Sequence, residues 1–96
     1  MKVRIHPLVQ RDISQAVRFY DGISDHLGTG FWQAFEETCA RISSHPQRFH
    51  FAPCGRRRAN FQRFPYHLLF IEELDGVYIV VARHHRRHPR YGAHRR

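Results

Sequence analysis

Apolar and polar residues alternate at the start of the chain, with Val3 and Ile5 set between Lys2, Arg4 and His6 ahead of Pro7. A period of two is the spacing of a short strand, and the proline puts it at or near a sheet edge. From about Arg11 the period lengthens. Ile13, Ala16, Val17, Tyr20, Ile23 and Leu27 recur at helical spacing, and Gly28 stands where it could close that helix in the left-handed conformation. A second helix is predicted from Thr29, a candidate N-cap, through Phe31, Phe35, Thr38, Cys39 and Ile42 to Ser43, Ser44 and Pro46. So short a connection makes the two helices antiparallel neighbours.

Beyond a loop over 46–55 the pattern returns to strands. Arg57 to Gln62 reads as a polar strand, and Pro65 can only begin the next one. Tyr66 to Leu74 and Val77 to Arg83 are apolar on both faces, and Asp75-Gly76 between them is a hairpin signal. The order strand, helix, helix, strand, strand, strand predicts one α+β domain over 1–96. In it an antiparallel helical hairpin covers one face of a largely antiparallel sheet of about four strands, and a basic tail follows from about residue 84. The opposite sheet face needs a cover. Leu69 with Ile71, or Phe70 with Tyr78, would lie exposed unless the tail or another chain packs there, and such a patch marks a binding surface.

Charge changes this picture. The chain carries 16 Lys+Arg against 8 Asp+Glu, formally +8, and Lys2 is the one lysine. Arginine suits planar, bidentate contact with phosphates and carboxylates, so acidic partners are expected. The excess is lopsided: residues 1–50 carry six cations and five acids, residues 51–96 ten and three. Cys39 and Cys54 read as reduced thiols, because two cysteines beside so large an apolar complement make no disulfide framework. The N-terminus lacks the apolar run of a signal peptide and no window has the ~20 apolar residues of a membrane span, so a cytoplasmic protein without a membrane partner is expected.

The arginines fall into two groups: Arg56, Arg57, Arg58 and Arg63, then Arg83, Arg86, Arg87, Arg90, Arg95 and Arg96. A hairpin at residues 75–76 would bring Arg83 beside residues 63 to 66 and merge the groups into one basic surface, with Arg95 and Arg96 open to a merely solvating role. A field of one sign binds polyanions with a steep salt dependence. Of nine histidines, His84, His85, His88 and His94 lie in the tail. No carboxylate or cysteine stands near them in sequence, so neither a metal nor another cofactor is expected. Acid–base work on RNA, with arginines stabilising the developing charge, is open to them. Tyr91 is either an aromatic plug that pins the tail or a stacking or proton-transfer group. The acids form no catalytic pair: Glu72, Glu73 and Asp75 crowd a hairpin tip, and the adjacent Glu36 and Glu37 diverge on a helix.

The run FPYHLLFIEELDGVYIVVARHHRRHPRY, with the strand and helical hairpin before it, resembles the RelE/ParE superfamily of bacterial type II toxin–antitoxin toxins over essentially the whole chain. Its most specific parts are the Phe-Pro-Tyr opening of a buried strand and the ending His-x-x-Arg-x-Pro-x-Tyr. Two activities are implied. RelE-like members cut messenger RNA in the ribosomal A site without a metal, and ParE-like members inhibit DNA gyrase. Carried onto this chain, a nuclease would use Arg83, His84 and Tyr91, with Arg57 or Arg58 as the basic strand residue. The lysines common on the sheet of RelE-like nucleases are missing, and His84, His85 or His88 would have to stand in. Phe-Pro-Tyr and the ending RRHPRY look more like the ParE branch, which makes gyrase the favoured target, with ribosome and messenger RNA the alternative. A nucleic-acid-binding module without toxicity is a third reading. Either toxin reading implies a cognate antitoxin with an acidic or amphipathic segment, bound in a hetero-oligomer. It would neutralise Arg57, Arg58, Arg63, Arg83, Arg86, Arg87 and Arg90. On this reading Arg83→Ala would abolish toxicity with little loss of fold.

Overall fold

Pro7 begins a helix as well as ending a strand. Its fixed φ suits the first helical position, and His6 before it caps the helix, with Nδ1 accepting from the Leu8 N–H at 3.1 Å. The computed structural model, which describes residues 2–96, thus runs from strand β1 (Lys2–Ile5) directly into helix α1 (Pro7–Asp21), four residues earlier than the apolar spacing indicates. The turn also comes early. Gly22 closes α1 in a right-handed conformation, and Ser24 Oγ accepts from the Leu27 N–H to start α2 (Asp25–Ser44). Gly28 therefore lies inside α2, not at a helix end, and Thr29 is an interior residue. Gly28 serves close approach: a Cβ there would fall 1.6 Å from Asp21 Oδ1.

A single 3-10 turn (Pro46–Arg48) leads to strands β2 (Arg57–Asn60), β3 (Tyr66–Glu73) and β4 (Gly76–His84). The sheet order is β1-β4-β3-β2, with β1 parallel to β4 and the other two pairings antiparallel. The fold is the expected α+β arrangement, and β1 is an edge strand. The hairpin turn falls at Leu74-Asp75, one residue before the predicted position, because Glu73 pairs with Gly76. Gly76 is needed for the neighbouring strand: a Cβ would sit 2.1 Å from the Lys2 carbonyl oxygen and push β1 off β4.

The helices cover one sheet face with a dry core. Val9, Ile13, Phe31, Ile42, Leu68, Phe70 and Ile79 are buried there. Phe31 is its centre, stacked on Tyr20 at 5.4 Å and edge-on to Phe64 and Tyr66 at 5.2 and 4.8 Å. Burying an aromatic ring of this size removes some 150–250 Å² from water, and offset or edge contacts add to that.

The other face has a cover of its own. Leu69, Tyr78, Val80 and Val81 are buried beneath Ala52 and Tyr91, so of the two expected covers, the tail or another chain, it is the C-terminal segment that packs there, together with a loop of the chain. Ile71, 40% exposed, is what remains of that patch. Residues 84–96 are thus not a free tail. A register shift makes this possible: Leu69 pairs with Val81 but Phe70 with Ile79, leaving Val80 as the extra residue of a bulge. Among the described residues no helix is long and apolar enough to cross a membrane.

Candidate functional site

Alternation along a strand decides which basic residues share a face. Ala59 and Leu68 point into the helix-side core, so Arg58, His67 and Arg83 point to the other side. His67 pairs across the ladder with Arg83, and Asn60 with His67. Their side chains form one network: Arg83 Nε donates to His67 Nε2 at 2.9 Å, His67 Nδ1 meets His85 Nδ1 at 2.9 Å, and Arg58 Nη2 reaches the same His85 nitrogen at 3.1 Å. Arg58 Nε donates to Asn60 Oδ1. The two imidazole planes lie 13° apart with centroids 5.2 Å apart, so the rings meet edge to edge through their Nδ1 atoms.

No carboxylate is hydrogen-bonded to Arg58, His67, Arg83 or His85 among the described residues. Burial, and then the positive field of Arg58 and Arg83 with the neighbouring His85 and His84, pushes His67 down to about 3. Burial first, then Arg58 and His84, also lowers His85. Both rings are therefore neutral at physiological pH. Arg58 and Arg83 bring one member of each arginine group together on this face, but the members have different duties.

Arg83 is tied down. Its Nη1 donates to the Pro89 and Tyr91 carbonyls at 2.8 and 3.1 Å, so it holds the C-terminal segment as well as facing solvent. Substituting it would loosen that segment, and the expectation of little structural loss does not hold for Arg83→Ala. Arg57, one residue from Arg58, points to the opposite side. It is paired with Glu72 at 2.7 Å, donates to the Phe49 carbonyl and lies over the Phe51 ring. Arg57 and Arg58 are not interchangeable candidates. His84 also faces the helix side, edge-on to Tyr66 at 5.2 Å. Arg63 sits in the β2–β3 loop with φ 71° and is exposed, as are Arg86 and Arg90, and Arg87 lies over the Tyr91 ring at 4.1 Å.

The hairpin acids are ion-paired: Glu72 with Arg57, Glu73 with Arg4 at 2.6 Å and Asp75 with Lys2 at 3.8 Å. Asp12, which the sequence pattern did not single out, is the most consequential acid. Beyond Ile5, strand β4 loses its β1 partner, and Asp12 reaches from α1 to that bare edge, where Oδ2 accepts from the Ala82 N–H at 3.1 Å. Arg95 meets it with a fork, Nη1 to Oδ2 at 2.6 Å and Nη2 to Oδ1 at 3.1 Å, and Nη1 also donates to the bulged Val80 carbonyl. The Tyr91 hydroxyl donates to Oδ1 at 2.5 Å. With side chains 10% and 2% exposed, Arg95 and Asp12 are a buried pair, so Arg95 is not a solvating residue. Arg56 donates to the Gly92 and Arg95 carbonyls, and Gly92 has φ 73° with no room for a Cβ beside Val81. A buried acid at helical spacing in an otherwise apolar stripe was the available signal.

Tyr91 is hence the pin of the C-terminal segment. Burial and its donation to Asp12 raise its pKa, so the phenol keeps its proton. It joins Asp12, Gln15, Tyr66, Arg83, His84 and Arg87 around a recess of 60 Å³. Cys39 and Cys54 are free thiols, and burial with Glu36 nearby pushes Cys39 up to about 12. Among the described residues no cluster of three or more His, Cys, Asp or Glu side chains could hold a metal ion. Neither the protein-family models, the curated proteins nor the solved structures contain a match to this chain.

Proposed function

We propose that this chain is the toxin of a type II toxin–antitoxin system, a ParE-like cytoplasmic protein that arrests growth by inhibiting DNA gyrase. The observation that carries the reading is the basic group Arg58, Arg83 and His85 on the sheet face away from the helices, free of carboxylates and without a prepared base. Three of the four nitrogens of His67 and His85 are bonded to one another or to arginine, and Tyr91 keeps its proton against Asp12. Such a face is built to hold an acidic partner more than to move protons. Its cognate antitoxin contributes an acidic segment against the arginines in a hetero-oligomer. Its apolar residues lie along the exposed strip of Val3, Ile5 and Trp32, since the chain itself occupies the far face.

One feature favours RelE-like cleavage of messenger RNA as the second reading: His85 is exposed, neutral and next to Arg58, which is the pairing a metal-independent ribonuclease needs. The test is expression of the chain and of Arg58→Ala, followed by gyrase supercoiling and by primer extension on programmed ribosomes. Loss of supercoiling with intact message in the wild type, and restored supercoiling with the message still intact in Arg58→Ala, is the expected result. Codon-positioned cuts would replace gyrase with the ribosome, and harmless expression would remove both toxin readings.

A further inference from the structure

Four side chains on the open sheet face form a run of nitrogens that admits one placement of protons. Arg83 Nε always carries hydrogen, so His67 Nε2, 2.9 Å away, must accept. Neutral His67 then carries its proton on Nδ1 and donates it to His85 Nδ1 at 2.9 Å. Arg58 Nη2 lies 3.1 Å from that same His85 nitrogen and shares its lone pair as a second donor. His85 Nδ1 therefore bears no hydrogen, and the neutral ring carries its proton on Nε2. Within the described residues that nitrogen has no partner, and His85 is exposed.

A proton added to His85 Nδ1 would oppose two N–H groups, and turning His67 over to receive it would set its N–H against Arg83 Nε. The charged groups around the pair are Arg58 and Arg83, with His84 the remaining neighbour that titrates, and none of them rewards added positive charge. Arg58, with Nε on Asn60 and Nη2 on His85, has no partner for Nη1 among the described residues. His85 Nε2–H and Arg58 Nη1 thus belong to two side chains joined by a 3.1 Å contact, and both are donors without a partner among the described residues. An oxyanion with several acceptor oxygens fits that pair, and the exposed Arg86 and Arg90, which follow His85 in the chain, suit a repeating anion better than a single one.

We propose that His67 is a positioning residue that locks His85 as the Nε2–H tautomer, so that His85 Nε2–H and Arg58 Nη1 form a binding corner for a phosphodiester of nucleic acid. The inference rests on reading this face as the target-binding one. It assigns His85 to binding, since an Nε2–H is a donor and not a base. Both toxin targets act with nucleic acid bound, and the corner is compatible with either.

Long-range nitrogen–proton NMR of the histidine rings in the intact protein tests it. The expected pattern at neutral pH is Nδ1–H on His67 and Nε2–H on His85, with both rings still neutral below the ordinary midpoint of about 6.5. Addition of inorganic phosphate or of a short single-stranded oligonucleotide should shift the His85 Nε2–H signal, and sodium acetate at equal ionic strength should not. His67→Leu should weaken oligonucleotide binding about fivefold, the scale of one hydrogen bond, with His67→Gln retaining more because its amide can both accept and donate. The opposite tautomer on His85, no response to either phosphate probe, or an equal response to acetate would each overturn the inference, and the wild-type spectra decide even if His67→Leu does not fold. A toxic protein without the phosphate response loses this inference alone, whereas a phosphate-responsive protein that is harmless on expression loses the proposed function alone.

Discussion

The two faces of the sheet are covered in different ways. On one, twenty residues of α2 and fifteen of α1 bury a continuous apolar core around Phe31. On the other, a few C-terminal residues are held by hydrogen bonds: Arg95 and Tyr91 to Asp12, Arg56 to the Gly92 and Arg95 carbonyls, Arg83 to the Pro89 and Tyr91 carbonyls. The first cover is redundant, since many contacts share the burden. The second depends on single groups, each with an unpaired charge or donor to leave behind if its partner is lost. Stability should therefore be uneven, with the C-terminal segment able to open while the helices stay docked.

The sharpest break is on the helix side. Phe31→Ala should cost about 3–5 kcal/mol and lower protection from hydrogen exchange throughout the chain, because a fully buried ring leaves a cavity at the meeting point of both helices and the sheet. Asp12→Ala should cost a comparable ~3 kcal/mol or more by stranding Arg95, yet concentrate the loss in residues 88–96 and at Ala82. If helix and segment lost protection together in Asp12→Ala, the two covers would be one cooperative unit.

Gly92→Ala should cost on the order of 1–3 kcal/mol, since φ is 73° and the added Cβ would stand 2.6 Å from Val81 Cγ2. Its effect, read by exchange, should be confined to the C-terminal segment. Acid should act on the same side. His67 titrates at about 3 in the folded chain and near 6.5 unfolded, so the unfolded state binds the extra proton between those values. Its contribution to stability is complete above about pH 6.5 and falls by up to about 1.4 kcal/mol for each unit below it. Denaturant titrations of wild type and His67→Gln across that range should diverge as pH falls, and parallel curves would refute the assignment. Smallest of all, Arg86→Ala should change stability by less than about 0.5 kcal/mol while weakening binding of an anionic partner, because Arg86 is exposed and its guanidinium holds nothing among the described residues.

Periodicity carried the helix-side cover well. The strand spacing of Val3 and Ile5, the helical spacing of Ile13 and Ala16 and the two apolar strands named the elements and the layer that joins them. Helix ends were less legible, because Gly28 resembles a terminator until the approach of Asp21 explains it, and Leu27 in the first turn of α2 also fits the apolar spacing of the helix before it. The basic site was legible as a composition and not as an arrangement. Arg57 and Arg58 are equivalent as letters, and strand alternation sends one to Glu72 and the other to His85.

Local pattern, then, was enough for the α+β order, the edge position of β1 and the concentration of positive charge in the second half, since each follows from residues near one another in the chain. The cover of the far sheet face was decided in three dimensions. Asp12 and Arg95 are separated by 83 positions, and nothing in either neighbourhood announces a partner. Their pairing requires β1 to stop short, β4 to run on with a bulge at Val80, and the chain to turn back through Gly92, conditions that exist once the sheet has formed. Charge is additive along a sequence, whereas burial and hydrogen-bond geometry depend on which distant segments meet, and these separate Arg95 as a strut from Arg58 as a surface donor.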